Sequence, residues 1–264
     1  RNNGCDIVSS PLVYTGHTYE IDFDDLAQKA ADPQVKVMLL CNPHNPACRV
    51  WTREELTRIG EICLRHNVTV VSDEIHCELV MPGQCYTPFA SLSAEFLQHS
   101  VTCISPSKAF NIAGLQIANI VCADAQMRAR IDRAINDNEV CDVNPFGVIA
   151  TEAAYNEGEE WLNQLIDYIW GNYQYMRDFC HEHLPSFPIA DLEGTYLVWM
   201  DCSKLNTKSS ELEEQLIDEA KLWLNAGSLY GSAGEGFMRW NIACLRATLV
   251  EGLSRFRRYV EKFT

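Results

Sequence analysis

Short apolar segments alternate with helical patterns through the first half of the chain, and this alternation limits the fold more than any other feature. The apolar segments are VKVMLLC (35–41), VTVVS (68–72), VTCIS (101–105) and ANIVCA (118–123). Because each is short and apolar on both faces, each predicts a fully buried strand. Between the first two, residues 52–66 predict a helix whose Thr52 and Glu55 form a capping box. Strands separated in this way indicate an α/β fold with a mainly parallel sheet covered on both faces.

The second half of the chain carries a different pattern with longer helices. Helices are predicted over 123–137 and over most of 145–184. The predicted elements that follow are a strand TYLVWMD (195–201), an amphipathic helix (209–227), a strand FMRWNIAC (237–244) and a last helix (247–263). Ser210 and Glu213 suit a capping box for the helix 209–227, and Gly227 suits its end. We therefore expect a large domain over residues 1–165 and a smaller C-terminal α/β domain over residues 166–264.

Charge and cysteine usage argue against several classes of function. The chain has 36 acidic and 21 basic residues, a net charge of −15, which argues against a nucleic-acid partner. No apolar run is long enough to cross a bilayer, so no membrane partner is expected. The 12 cysteines form no Cys-x-x-Cys pair, and several lie in apolar segments, where a free thiol behaves as a small apolar side chain. This usage predicts a reducing compartment, the cytoplasm.

Each of three predicted strands is followed directly by a polar cluster. NPHNPAC follows the strand 35–41, DEIHCE follows 68–72, and PSKAFN follows 101–105. In an open parallel sheet, ligands bind beyond the carboxyl ends of the strands. Three adjacent clusters therefore predict a binding site at this edge more specifically than any one of them does.

Lys108 is the one formally charged side chain among the 28 residues from Phe96 to Ala123. An isolated ammonium is costly to bury, and burial favours the neutral amine. A neutral amine is a nucleophile, which is how lysines form Schiff bases. The alternative is a lysine in a polar loop between two buried strands, and Lys108 alone does not decide between the two.

Asn45, Asp73 and His76 each have an ordinary explanation beside a chemical one. Asn45 could serve an Asn-Pro turn. Asp73 directly follows a buried strand, where it could cap a turn or face a cationic ligand atom. The acidic, His and Cys residues within 73–78 could suggest metal binding, but neighbours on an extended backbone point to opposite faces and few could converge on one ion. A metal site around His76 is therefore only a minor alternative.

Ser105, Ser107 and Arg239 complete the set of candidates. The two serines flank a proline beside Lys108, where hydroxyl and backbone N–H groups could hold an anion or simply form a turn. An arginine in a strand is usually a surface residue, but Arg239 lies within the apolar run 237–244, which favours a side chain directed into a cleft. Its planar guanidinium suits a carboxylate. A lysine that forms an imine, a carboxylate for a ring nitrogen, hydroxyls for a phosphate and an arginine for a substrate carboxylate are what pyridoxal phosphate chemistry requires.

At these motifs the sequence resembles the class I/II aminotransferase superfamily of fold-type I pyridoxal-phosphate enzymes, and within it the MalY/PatB-type C–S β-lyases. The resemblance covers essentially the whole chain and rests, in order, on CNPHNPACRVWTREEL, VSDEIHCELV, SPSKAFNIAGLQ and MRWNIAC. It implies a pyridoxal-phosphate-dependent transferase-like large domain, incomplete at its N-terminus, and a smaller C-terminal domain. The implied activity converts S-substituted L-cysteines, such as cystathionine, into a thiol, pyruvate and ammonia. The resemblance also implies a homodimer with sites at the subunit interface.

The resemblance assigns a role to each candidate around the cofactor ring. Lys108 would bind the cofactor covalently and then act as acid and base, and Asp73 would pair with the protonated ring nitrogen. Asn45 would hydrogen-bond the ring 3-hydroxyl. His76, a further cofactor-binding residue, occupies the position where many aminotransferases carry a tyrosine.

Contacts with the phosphate and the substrate are implied in the same way. Ser105 and Ser107 would bind the phosphate, and Arg239 would hold the substrate α-carboxylate. Two positions depart from the wider family: Cys48 stands where glycine is frequent, and Gln116 stands where many aminotransferases place a phosphate-binding arginine. Gln116 favours a lyase over a transaminase.

Besides the minor metal-site alternative, two alternatives to the lyase stay open. One is a class I/II aminotransferase on the same scaffold, and the other is an inactive fragment or non-enzymatic binding module. The resemblance implies that full-length relatives carry a further N-terminal segment, which would supply a glycine-containing phosphate loop and an aromatic side chain that stacks on the ring. We therefore expect this chain to be a fragment that binds the cofactor poorly and lacks normal activity.

Overall fold

Three β-sheets and eight α-helices make up the part of the chain that the computed structural model describes, residues 4–263. The strands are β1 (Leu12–Tyr14), β2 (Tyr19–Ile21), β3 (Val37–Cys41), β4 (Thr69–Asp73), β5 (Ser100–Ile104), β6 (Asn119–Val121), β7 (Leu197–Asp201), β8 (Asn225–Ala226) and β9 (Phe237–Asn241). The helices are α1 (Phe23–Ala30), α2 (Arg53–Arg65), α3 (Ala94–Gln98), α4 (Ala125–Asp137), α5 (Pro145–Glu157), α6 (Glu159–His183), α7 (Ser209–Gln215) and α8 (Arg246–Val260).

The central sheet has the strand order β3-β4-β5-β6. β3, β4 and β5 are parallel, so the α/β fold with a mainly parallel sheet is confirmed. β6 forms where the sequence predicts a strand, but it runs antiparallel to β5. Residues 105–118, all of them described, join the two strands through turns and a 3-10 turn, whereas parallel pairing needs a crossover that is usually a helix.

Helix α2 covers one face of the central sheet. The predicted capping box is present, since the Thr52 hydroxyl accepts from Glu55 N (3.1 Å) and the Glu55 carboxylate accepts from Thr52 N (2.8 Å). Leu56 and Ile59 of α2 are fully buried and belong to the same core cluster as Leu40 of β3. Helix α2 therefore fixes the parallel strands from one side.

The other face of the sheet is open beside β3. Leu39 is 78% exposed and Val37 is 52% exposed, whereas the neighbouring Leu40 is buried. Adjacent residues of a strand point to opposite faces, so the exposed pair lies on the face away from α2. The expectation that both faces are covered is therefore wrong at β3 within residues 4–263.

An antiparallel sheet with the order β7-β9-β8 forms the centre of the C-terminal part. Ile169 of α6 and Phe256 of α8 are fully buried with Val198 of β7 in one core. The hairpin β1–β2 joins this core through Tyr19, whose hydroxyl accepts from Trp199 Nε1 (2.8 Å). The domain boundary predicted at residue 165 falls inside α6 and stays a prediction.

The single helix predicted over 209–227 is wrong in its second half. Helix α7 ends at Gln215, a π-helical turn covers Leu216–Ala220, and Lys221 then takes a left-handed conformation with φ of 52°. Arg255 Nη1 donates to Lys221 O (2.7 Å), so a contact from α8 fixes the point where the chain leaves the helix. The buried Leu224 then leads into β8.

The predicted capping box at Ser210 is also wrong. Lys208 occupies the N-cap position of α7, and its side chain makes no capping hydrogen bond. The N–H of Ser209 instead donates to Glu235 Oε1 (2.6 Å), a carboxylate far along the chain. A tertiary contact thus satisfies the helix start that the sequence pattern assigned to a local cap.

Candidate functional site

The turn after β3 places Asn45 at the carboxyl edge of the parallel sheet. Asn42 fixes this turn from inside, because its buried side-chain oxygen accepts from Trp51 N (3.1 Å). Cys48, buried with φ of 65°, donates its thiol to Leu197 O (3.1 Å). The turn that carries Asn45 is therefore anchored in the central sheet and in β7.

Asp73 and Glu74 are adjacent at the end of β4 but have different surroundings. The buried Glu74 carboxylate accepts hydrogen bonds from three groups of the chain. These are Ser72 Oγ (2.8 Å), Phe89 N (3.0 Å) and the Tyr86 hydroxyl. The Asp73 carboxylate accepts from Ile75 N (3.2 Å) and forms no ion pair within residues 4–263. Glu74 therefore stabilises the loop, whereas Asp73 is available to a ligand.

His76 lies in the turn after β4 and is 5% exposed. Its Nδ1 makes no hydrogen bond to the described chain, and its ring meets the Tyr196 ring edge-on, with centroids 5.8 Å apart. Burial, with the positive charges of Lys108 and Arg239, lowers the pKa of His76 to about 4. The imidazole is therefore neutral at neutral pH, and it lies close enough to both cations for their charges to act on it.

The turn after β5 presents Ser107 and Lys108 and is held together by Ser105. Ser105 Oγ donates to Ile117 O (2.6 Å) and accepts from Ser107 N (3.1 Å). The Ser105 hydroxyl proton is thus used within the chain, whereas the Ser107 hydroxyl has no partner among the described residues. The half-buried Lys108 also makes no hydrogen bond or ion pair there.

Arg239 reaches the same site from β9. Its Nη1 donates to Asn45 Oδ1 (3.0 Å), and its Nη2 donates to Asn225 Oδ1 (2.7 Å). The guanidinium carbon lies 4.8 Å from the centre of the Tyr230 ring, and Nε is buried with no partner in residues 4–263. The guanidinium therefore lies at the turn after β3, between the two sheets.

These contacts bring most of the predicted site residues together. Arg239 donates a hydrogen bond to Asn45, and the charges of Arg239 and Lys108 both lower the pKa of His76. Asp73 makes no hydrogen bond or ion pair with these residues but lies at the carboxyl end of the middle parallel strand. Their roles toward a ligand stay predictions.

The sequence did not indicate three residues of this site: Tyr196, Asn225 and Tyr230. Asn225 falls in the stretch whose pattern indicates a helix, so its strand register opposite Arg239 could not be predicted. Tyr196 directly precedes a buried strand and has no feature that separates it from a core residue. Tyr230 lies in a short turn between β8 and β9 without any motif of its own.

The site thus offers a ligand a pair of cations, a neutral imidazole and a free hydroxyl.

Within residues 4–263, no group of three His, Cys, Asp or Glu residues is placed to hold a metal ion. The cysteines other than Cys5 are free thiols. No helix in the described part of the chain is long and apolar enough to cross a membrane.

The chain matches the family of class I and II aminotransferases over residues 1–256. It is 45% identical to the cystathionine β-lyase PatB of Bacillus subtilis over 257 residues, and 32% identical to the protein MalY of Escherichia coli over 234 residues. These matches cover 97% and 88% of this chain but 66% and 59% of the two relatives. The chain thus spans at most about two thirds of the length of these curated relatives.

Solved structures agree with the sequence comparison. Cystalysin from Treponema denticola, which contains a pyridoxal 5'-phosphate cofactor, matches with a TM-score of 0.97 and 32% identity, over 100% of this chain and 67% of that chain. The pyridoxal-phosphate-bound C–S lyase from Staphylococcus hominis matches with a TM-score of 0.92 and 34% identity, over 100% of this chain and 68% of that one. The resemblance inferred from the four motifs is therefore confirmed.

Proposed function

We propose, because the chain belongs to the class I and II aminotransferase family, that it carries the chemistry of a pyridoxal-phosphate-dependent C–S β-lyase. The substrates would be S-substituted L-cysteines, and the products a thiol, pyruvate and ammonia. The Bacillus subtilis and Staphylococcus hominis relatives are named as lyases, which supports this reaction over the aminotransferase alternative.

The observation that carries the proposal is the pair of cations without anionic partners. Lys108 and Arg239 form no ion pair within residues 4–263, although acidic residues outnumber basic ones in the chain. Partly buried cations of this kind are stabilised by a ligand that brings negative charge. The unpartnered Nδ1 of His76 lies beside them and adds a polar group that a ligand could satisfy.

The residues present fit pyridoxal phosphate. Lys108 Nζ would hold the aldehyde carbon, and the Asp73 carboxylate would accept from the ring nitrogen. Asn45 Oδ1 is already used by the arginine, which leaves Nδ2 to donate to the ring oxygen. The free Ser107 hydroxyl would donate to the phosphate. Ser105 would contribute by orienting Ser107 N, since its own proton is used by the chain.

When bound, pyridoxal phosphate supplies an electron sink for negative charge at the substrate α-carbon. Asp73 would keep the ring nitrogen protonated, because a nearby carboxylate favours the positively charged form of that nitrogen. Lys108 Nζ would accept the α-proton as the general base. The Arg239 fork would hold the α-carboxylate and so fix the α-carbon against Lys108. Neutral His76 would form a hydrogen bond to the bound ligand through Nδ1 without adding a positive charge to the site.

The proposal extends to a homodimer in the cytoplasm that takes small amino acids as substrates. Phe146 and Ile149 of α5 are 71% and 64% exposed, an apolar surface that a second copy could cover. The free thiols at the cysteines other than Cys5 suit a reducing compartment. Light scattering on the purified protein tests the dimer directly.

An absorption titration with pyridoxal phosphate tests the proposed function. We would compare the 264-residue chain, its Lys108→Ala variant and a fusion that adds the portion of the Bacillus subtilis relative that this chain does not match. Lys204→Ala is the matched control, because Lys204 is exposed and lies outside the site. A visible band that requires Lys108, stronger in the fusion than in the chain alone, is expected.

Product analysis separates the two reactions. Pyruvate released from cystathionine by the fusion supports the lyase, whereas a keto acid formed from a substrate without a β-leaving group supports the aminotransferase. A band that persists in Lys108→Ala would show that Lys108 is not the lysine that binds the cofactor. The absence of any band in both the chain and the fusion would favour a binding module without the cofactor.

A further inference from the structure

Arg239 is held by neutral acceptors, unlike Arg49. Arg49 is buried and donates to two carboxylates, at 3.0 and 2.9 Å. Arg239 donates to the amide oxygens of Asn45 and Asn225, and no carboxylate of the described chain lies within ion-pair distance. The charge of Arg49 is therefore neutralised by the fold, and the charge of Arg239 is not.

Asn225 and Asn45 fix the guanidinium from two sides. Asn225 lies opposite Arg239 in the β8–β9 pair and accepts at 2.7 Å, while Asn45 accepts at 3.0 Å from the other sheet. A guanidinium has five N–H groups, so two bonds leave three, and the buried Nε is among the unpartnered atoms. The side chain is thus oriented while donors remain for a bidentate acceptor.

We propose that Asn225 is a positioning residue that orients Arg239 toward the substrate carboxylate, and that its neutrality is the property the site requires. The inference rests on the proposed function, because it assumes an amino-acid substrate. Aspartate at position 225 has almost the same shape and would hold Arg239 at least as firmly, but it would cancel the positive charge. Alanine would release Nη2 and leave the charge in place.

Binding of a substrate-like carboxylate separates these two properties. The probe is 3-(methylthio)propionate, which lacks the amine needed to react with the cofactor, and its amide is the uncharged comparison. Ligand-observed NMR on the full chain with pyridoxal phosphate gives the affinity of the parent, Asn225→Asp and Asn225→Ala. Asn163→Asp is the control for added charge, because Asn163 is exposed on α6.

The proposal expects opposite orders for binding and for stability. Asn225→Asp should bind the carboxylate about tenfold more weakly than the parent, and Asn225→Ala about threefold more weakly. The thermal midpoint of Asn225→Asp should equal or exceed that of the parent, and that of Asn225→Ala should be lower. Asn163→Asp should bind like the parent, and the amide probe should bind none of the proteins measurably.

Two results would overturn the proposal. One is an affinity of Asn225→Asp within about twofold of the parent. The other is a greater loss for Asn225→Ala than for Asn225→Asp, which is what a purely structural hydrogen bond predicts. The Lys108-dependent absorption band distinguishes this failure from that of the proposed function, because the band should form in every Asn225 variant. A band with no effect of Asn225→Asp on carboxylate affinity refutes the positioning role alone.

Discussion

Replacing Arg49 with methionine should destabilise the fold strongly, because Arg49 joins three separate segments. Its Nη2 donates to both carboxylate oxygens of Glu55 (3.0 Å), its Nε donates to Glu193 (2.9 Å), and its Nη1 donates to Tyr19 O. The Glu55 and Glu193 side chains are only 21% and 19% exposed. Arg49→Met would leave two poorly hydrated carboxylates close together without a cation.

The magnitude follows from the cost of leaving a buried charge unpaired. Removing one partner of a buried ion pair costs about 3–5 kcal/mol. Because both carboxylates keep some exposure to water, we expect a loss of about 3 kcal/mol in the free energy of unfolding. Arg49→Met also removes the cation–π contact with Trp51, whose ring centre lies 4.7 Å from the guanidinium carbon, but a sulfur–aromatic contact can replace part of it, so this term should be small.

Urea unfolding followed by tryptophan fluorescence measures this change. Arg53→Met is the matched control, since Arg53 is exposed at the start of α2 and should change stability by less than about 0.5 kcal/mol. Adding Glu193→Gln to Arg49→Met should recover part of the loss, because one of the two unpaired charges is removed. A loss below about 1 kcal/mol, or no recovery in the double variant, would refute the reasoning.

Three further changes test other parts of the structure. The pKa of His76 is about 4 in the fold and near 6.5 in the unfolded chain, so below pH 6.5 the unfolded chain binds a proton that the folded one does not. The free energy of unfolding should therefore fall by about 3 kcal/mol between pH 6.5 and pH 4 because of this residue. His76→Gln should remove that part of the pH dependence in urea titrations. Asn172→Leu should lower the free energy of unfolding by about 2–4 kcal/mol, because it leaves the carbonyls of Ile242 and Cys244 without their donor; a loss under about 1 kcal/mol would contradict this. Gly227→Ala should lower the thermal midpoint markedly, because a Cβ at this position would lie 1.9 Å from Gly234 O; an unchanged midpoint would show that the backbone can move apart.

The parallel strands and their site could be predicted because local sequence decides them. Apolar runs mark β3, β4 and β5 without ambiguity, and the Thr52–Glu55 capping box depends only on residues three apart. Parallel pairing then places the residues that follow each strand at one edge, whatever the details of the loops. This is why the sequence alone predicts that Asn45 and Lys108 lie at the same edge of the sheet.

The predictions that failed depend on contacts between distant residues. The end of α7 is set by a bond from Arg255, and its start by a carboxylate at Glu235, so no local pattern reveals either boundary. The sequence pattern predicts a helix through residue 225, so it cannot predict the strand contact that Asn225 makes with Arg239. The use of the Ser105 proton by Ile117 O is likewise a tertiary property that a Ser-x-Ser motif does not show.

The hydrogen bond between Asn45 and Arg239 spans 194 residues of sequence. During synthesis, the turn after β3 leaves the ribosome long before Arg239 is added, so a nascent chain can fold its parallel strands while this half of the site is still missing. Contacts of such large separation also form late and slow the search for the folded state. The contact therefore forms only after Arg239, 194 residues beyond Asn45, has been added, and a chain that stalls before Arg239 would carry the turn after β3 without this hydrogen bond.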